Sequence, residues 1–179
     1  MNLTYKVLST PSQISGFKDA IKHHLMSLSP DERYFRFFGG SEANIDDWLT
    51  KITTTGPIEH LVFLVLNGEQ VVAIADVAHS KHKAIPEIAI SVDKSVRKLL
   101  VSVGREPNTL VEKPKGKKFT EWFVSTLLDI AKDFKFPGVQ YSTMSDNIPM
   151  LNLGRKLGFT HKWVEGAVTG EMSFQGDDL

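Results

Sequence analysis

Charge in this chain is concentrated at one place: Lys113, Lys115, Lys117 and Lys118 fall within six positions around Gly116. Four ammonium groups at that spacing could hold a polyphosphate by side-chain charge, just ahead of a stretch with helical periodicity whose N-terminus would also be positive. No Gly-x-x-x-x-Gly-Lys-Ser/Thr run occurs, which disfavours a P-loop nucleotide site. Groups suited to accepting a proton lie elsewhere. Glu87 heads an alternating apolar strand, and His79 and His82 fall near the end of the strand before it. The six histidines are scattered, and the adjacent pair His23 and His24 would point different ways on a helix, so no metal is expected. The absence of cysteine excludes disulfides, thiolate nucleophiles and thiolate metal sites.

Composition sets further bounds. Lys plus Arg equals Asp plus Glu at 21 each, so no overall field draws the chain to nucleic acid or to an anionic membrane, and neither partner is expected. A length of 179 residues with 41% hydrophobic content suits one α/β domain spanning 1–179, with no repeat, low-complexity tract or linker. The opening MNLTYKVLSTPS has no apolar signal-like run, and no segment approaches the roughly 18 apolar residues needed to span a bilayer. The expected location is cytoplasmic.

The elements that must position these groups can be read in order. Alternation over 3–8 predicts a strand. Thr10, Pro11 and Gln13 start a helix expected to run to about Leu28, and Ser29, Pro30, Asp31 and Glu32 start a second, ending at Gly39-Gly40. Its aromatics Tyr34, Phe35, Phe37 and Phe38 read as core, and Arg33 and Arg36 as solvated or lining a groove. A helix over 42–53 carries Ile45, Trp48, Leu49 and Ile52 on one face and stops at Gly56-Pro57. Strands at 60–66 and 70–78 flank Asn67-Gly68, a type I′ hairpin signal. Strand 87–92 alternates Ile88, Ile90 and Val92 against Glu87, Ala89 and Ser91. Residues 94–117 contain two short strands, 98–103 and 109–111. A helix over 119–135 is expected to bury Phe119, Phe123, Leu127, Ile130 and Phe134, followed by a strand at 139–143. In 145–163, SDNIPMLNLGRKLGFTHKW, Asp146 or Asn147 caps a helix with Pro149 in its first turn. That helix shows Met150, Leu153 and Leu157 on one face, and Gly158 ends it as a left-handed residue. A closing hairpin, 159–164 with 171–174, and a frayed tail at 176–179 complete the chain.

The run Asn147, Pro149, Met150, Leu151, Leu153, Lys156, Leu157, Gly158, Phe159 resembles the N-x-P-M-L-x-L-x-x-K-L-G-F block of the GNAT superfamily of acyl-CoA-dependent N-acetyltransferases. Residues 28–38, LSPDERYFRFF, resemble the LSPESRYLRFF stretch of that family's protein-lysine acetyltransferase branch. The resemblance implies a mixed, mostly antiparallel sheet flanked by helices. It also implies acetyl-CoA as co-substrate in a V beside the strand bearing Ile90, Ser91 and Val92. Asn147 would cap the last helix beside the pantetheine or pyrophosphate, and Glu87 would occupy the position of the branch's glutamate base.

Two departures from the family pattern stand out. Its pyrophosphate loop, Gln/Arg-x-x-Gly-x-Gly/Ala, falls on Lys113, Gly116 and Lys118, or on Lys115, Lys118 and Thr120 if shifted by two. Either way the lysines must replace glycine amides. The tyrosine that many members use to protonate the departing thiolate falls on Gly154, leaving that task to water or to Tyr141, or leaving the thiolate to depart unprotonated. The 94–117 segment is an insertion, read as a hairpin arm that covers the cleft, contacts an acceptor or pairs two subunits in a homodimer. The expected function is acetyl transfer to a primary amine, a protein lysine being favoured. The alternatives are a catalytically inactive acyl-CoA sensor or protein-binding module, and a small-amine acetyltransferase.

Overall fold

The computed structural model describes residues 1, 3–37, 41–56 and 58–174. Strand β1 (Leu3–Leu8) is followed by four helices, α1 (Pro11–Ser15), α2 (Lys18–Ser27), α3 (Pro30–Phe37) and α4 (Glu42–Ile52). Strands β2 (Ile58–Asn67), β3 (Gln70–Ser80), β4 (Glu87–Val92), β5 (Leu100–Val103), β6 (Thr109–Glu112) and β7 (Lys117–Lys118) come next. Helix α5 (Phe119–Asp133), β8 (Gly138–Met144), α6 (Ile148–Leu157), β9 (Thr160–Val164) and β10 (Ala167–Ser173) complete the order. Among the described residues the strands form one sheet, β7-β5-β6-β1-β2-β3-β4-β8-β10-β9, antiparallel throughout except between β4 and β8. No described helix is long and apolar enough to cross a membrane.

Alternation of side chains sends each strand's residues to two cores. On one face Phe63 stacks on Phe123 at 4.9 Å and Phe119 on Phe123 at 6.0 Å, burying α5. On the other, Ile14, Ile21, Leu25, Ile45 and Leu49 from α1, α2 and α4 cover Val62, Leu64 and Ile74. Both capping boxes form: Thr10 with Gln13, and Ser29 with Glu32, whose carboxylate accepts the Ser29 N–H at 2.8 Å.

Several expectations are corrected. The single helix expected from residue 10 breaks at Gly16-Phe17, glycine being the poorest ordinary helix former. The β2–β3 turn is centred on Gly68-Glu69, one residue later than expected. Only Gly68 has positive φ (62°), the type II′ pattern, because Asn67 still pairs with Gln70. Phe134 is 48% exposed, since α5 turns its Phe119, Phe123, Leu127 and Ala131 inward instead. None of the α3 aromatics is fully buried: Tyr34 is exposed, and Phe35 and Phe37 face a cavity. The inserted segment reaches the cleft lining only through Arg97. Its strands β5 and β6 extend the sheet beside β1, Leu3 opposite Leu110, with Val101 and Leu110 buried in the α5-side core. Phe38, Gly39-Gly40, Pro57 and the tail 176–179 lie outside the described residues.

Candidate active-site cleft

Between β4 and β8 the sheet opens. These neighbours share one bridge, Glu87 opposite Gln140, with the Gln140 N–H donating to Pro86 O at 3.0 Å, and beyond it they part. Strand β4 stays paired to β3 along its length, and Asp93 N–H donates to Val72 O at 2.8 Å. Hydrogen-bond alternation in an antiparallel ladder therefore turns the backbone of Ile90 and Val92 away from β3 and into the opening. The gap is a cavity of about 560 Å³ lined by Glu87, Ile90, Ser91 and Val92 on one side and by Tyr141, Ser142, Thr143, Asn147, Pro149, Met150 and Leu153 on the other. Its roof is α3 and α4: Glu32, Phe35, Arg36, Phe37 and Trp48.

Glu87, at the bridge where the strands diverge, faces the cavity with Asp76 and Arg36. Asp76 is buried, 4% exposed, and satisfied by His60 Nδ1 at 2.9 Å and by the Trp48 indole N–H at 3.3 Å. The Arg36 guanidinium sits 5.0 Å from the ring centroids of Phe37 and of Trp48, in the field of Asp76 and Glu87. Burial lowers its pKa while the two carboxylates raise it, and a guanidinium remains charged regardless. The sequence left Arg36 either solvated or lining a groove, and it is the groove-lining position that the structure shows; Asp76 had no role in that reading. The signal for Asp76 was present, because it is the one acid inside the apolar run 71–78; its partner His60 lies diagonally across the hairpin, since Val62 pairs with Asp76 and His60 with Ala78.

Asn147 is the α6 N-cap, as the sequence allowed. Its side-chain Oδ1 accepts the Met150 N–H at 3.4 Å, and its side-chain Nδ2 donates to Thr143 Oγ1 at 2.9 Å. Gly158 ends α6 at φ 91°. Tyr141 rises from β8 into the slot left by Gly154: a Cβ at position 154 would stand 2.2 Å from the Tyr141 hydroxyl. That hydroxyl shares a 2.6 Å hydrogen bond with His161 Nε2. Burial pushes Tyr141 up to about 12 and pushes His161 below the usual histidine value.

Lys113, Lys115, Gly116, Lys117 and Lys118 all lie outside the cavity lining; Thr120, in the first turn of α5, is the residue of this region that reaches it. Gly116 is held against β5, where a Cβ would stand 2.5 Å from Val101 O. Arg97 lines the cavity as well, donating to Val92 O at 2.8 Å and pairing with Glu32. Burial works against Glu32 ionising, yet hydrogen bonds from Ser29 and Arg97 hold it at about 2. On the α2 side His24 shares a 2.9 Å hydrogen bond with Ser91, and burial lowers His24 to about 4. His79 packs 5.2 Å from Phe136, and neither it nor His82 reaches the cavity. Among the described residues no group of His, Asp and Glu converges as a metal site.

No protein-family model matches the sequence. Solved structures do match. The GNAT domain of S. lividans PAT superposes with a TM-score of 0.69 at 12% identity, covering 95% of this chain and 89% of that one. Structure yncA from Salmonella typhimurium, solved with its cofactor acetyl-CoA, gives 0.56 at 12% identity over 98% and 97% of the two chains. The ribosomal-protein-alanine N-acetyltransferase from Brucella melitensis gives 0.55 at 12% over 94% and 99%. With its mostly antiparallel sheet parting between β4 and β8 and its helices on both faces, this chain has the fold of the GNAT acetyltransferases.

Proposed function

We propose that the protein transfers an acetyl group from acetyl-CoA to a primary amine within the β4–β8 cleft. The observation that carries this reading is the parting of β4 from β8 after one bridge, with Glu87 at the point of divergence and the Ile90 and Val92 backbone turned into the gap. Acetyl-CoA supplies an activated thioester. The Ile90 and Val92 N–H groups polarise its carbonyl as charge develops there, and Asn147 and Thr120 flank the rest of the cofactor. Glu87 accepts the ammonium proton so that the neutral amine forms the new C–N bond as the C–S bond breaks. Tyr141, held protonated by burial, donates to the departing sulfur, and His161 behind it passes a proton back. A phenol with a pKa of about 12 is a weak acid, so its contribution is small.

The acceptor follows less directly. A protein lysine is what the α3 resemblance favours, a small amine is the alternative, and the side chains of α3 bear on the choice below. A reading as a non-catalytic protein-binding module has one observation in its favour: the lysines that must replace the glycine loop do not line the cavity.

Calorimetry with acetyl-CoA and thiol release with an amine panel test both readings. Micromolar binding is expected for the wild type and for Glu87→Gln, with turnover in that variant falling about 10²–10⁴-fold, while Tyr141→Phe loses about tenfold or less. Binding without turnover in the wild type would favour a non-catalytic acyl-CoA sensor. Absence of binding at millimolar acetyl-CoA would overturn the proposal.

A further inference from the structure

The acceptor side of the cavity holds a cation whose donors are unmet. Arg36 Nε and Nη2 are buried and have no hydrogen-bond partner among the described residues, although their guanidinium is fixed between Phe37 and Trp48. The nearby anions do not relieve it: Asp76 spends its two oxygens on His60 and Trp48, and no ion pair joins Arg36 to Asp76 or Glu87. Arginine cannot shed its proton, so this cost is relieved by an oxygen acceptor arriving from outside, and an anionic oxygen relieves it most because the bond is then charge-assisted. Glu87 faces the same cavity, makes no ion pair among the described residues and is open to a cation. A fixed cation on the roof and a fixed anion on the β4 side of the same cavity complement a ligand that carries both charges.

On the reading of the cleft as an acetyl-transfer site, we propose that the acceptor is a small amine bearing a carboxylate or phosphate, its anionic oxygens bound by Arg36 and its ammonium by Glu87. The planar guanidinium fork suits either group. A lysine side chain entering alone would bring the ammonium and leave Arg36 as it is, so the side chains of α3 favour the small acceptor over the protein lysine.

The Arg36 Nε–H is a direct reporter that needs no turnover. Its ¹⁵N-edited NMR signal, assigned by its loss in Arg36→Lys, should shift saturably with sodium acetate or inorganic phosphate and stay still with acetamide. Whichever anion acts at lower concentration identifies the carboxylate or the phosphate source. In thiol-release assays with acetyl-CoA, glycine, β-alanine and phosphoethanolamine should be compared with glycinamide, β-alaninamide and ethanolamine. At least one anionic acceptor should exceed its neutral partner about tenfold in kcat/KM, and Arg36→Gln should erase the difference through KM. A silent Nε–H at tens of millimolar of both anions overturns the proposal, as does a lysine peptide acetylated ahead of every anionic amine and equally well by Arg36→Gln. A shifted signal with no amine acetylated leaves the anion site standing and sinks the transfer reading. Transfer without discrimination, with a silent signal, does the reverse.

Discussion

His24 shows how far one buried side chain can tie the cleft to pH. Packed under β4 with its Nε2 at 2.9 Å from the Ser91 hydroxyl, it is 2% exposed and is held at about 4 by burial, with Asp93 opposing that shift and Arg36 and Arg97 reinforcing it. An unfolded histidine titrates near 6.5, so as pH falls the unfolded chain takes the proton first. The associated stability is complete above 6.5 and is lost between 6.5 and about 4, and the gap corresponds to roughly 3 kcal/mol. Urea unfolding of the wild type and of His24→Gln at pH 7 and pH 4 should show the variant losing about 3 kcal/mol less over that interval. Parallel losses in the two proteins would mean that His24 does not titrate as its burial implies. Because Ser91 lines the cavity, cofactor binding to the folded protein should weaken only as pH approaches 4, where native His24 itself takes a proton.

Elements, more than residues, decide what the lysine-rich loop does. The sequence shows four cations before a helix and leaves open whether they form a phosphate cradle. The structure makes Lys117–Lys118 a two-residue strand on β5, and α5 begins with Phe119 donating its N–H to Leu99 O at 2.8 Å. Gly116 is required there because a Cβ would meet the Val101 backbone, which cannot yield as a flexible side chain would. Gly116→Ala should therefore destabilise the fold by about 1–3 kcal/mol through overpacking, with acetyl-CoA affinity changed little in the molecules that remain folded. Lys115→Glu with Lys117→Glu should leave the melting temperature within a degree or two and at most weaken the cofactor, as exposed charges do. Thermal unfolding paired with calorimetry separates these outcomes. A Gly116→Ala protein of wild-type stability that no longer binds acetyl-CoA would restore the cradle.

At this scale the sequence was most legible where local chemistry is self-contained. Both capping boxes, the Asn147 cap and the Gly158 terminus depend on residues within four positions of one another. The Arg36 environment is different. It joins residues from α3, α4, β3 and β4, whose juxtaposition no local spacing announces, and the amphipathic pattern of α3 reads the same whether its aromatics enter a core or roof a cavity.

For the whole molecule the inserted segment is the main lesson. Read as a sequence, 94–117 is surplus to the family pattern and invites a role at the cleft or between subunits. In the sheet it is a load shared with β1: Leu110 is fully buried, Val101 is 1% exposed, and Tyr5 N–H donates to Asn108 O at 2.9 Å. Three strands, β1, β2 and β3, separate it from β4, so apart from Arg97 at its root it stands away from the cavity. The outer edge it presents is the lysine pair of β7, and short, charged edges are poor templates for adding a strand from a second subunit. Leu110→Ala should thus cost about 2–5 kcal/mol of stability, the range for emptying a well-packed leucine site. Normalised to folded protein, its KM for acetyl-CoA and for acceptor should match the wild type, because the cleft is set by β4, β8, α3 and α6. Denaturant unfolding followed by steady-state kinetics on the folded fraction checks both halves. A folded Leu110→Ala protein with a raised acceptor KM would return the arm to the cleft, and one of wild-type stability would remove it from the core.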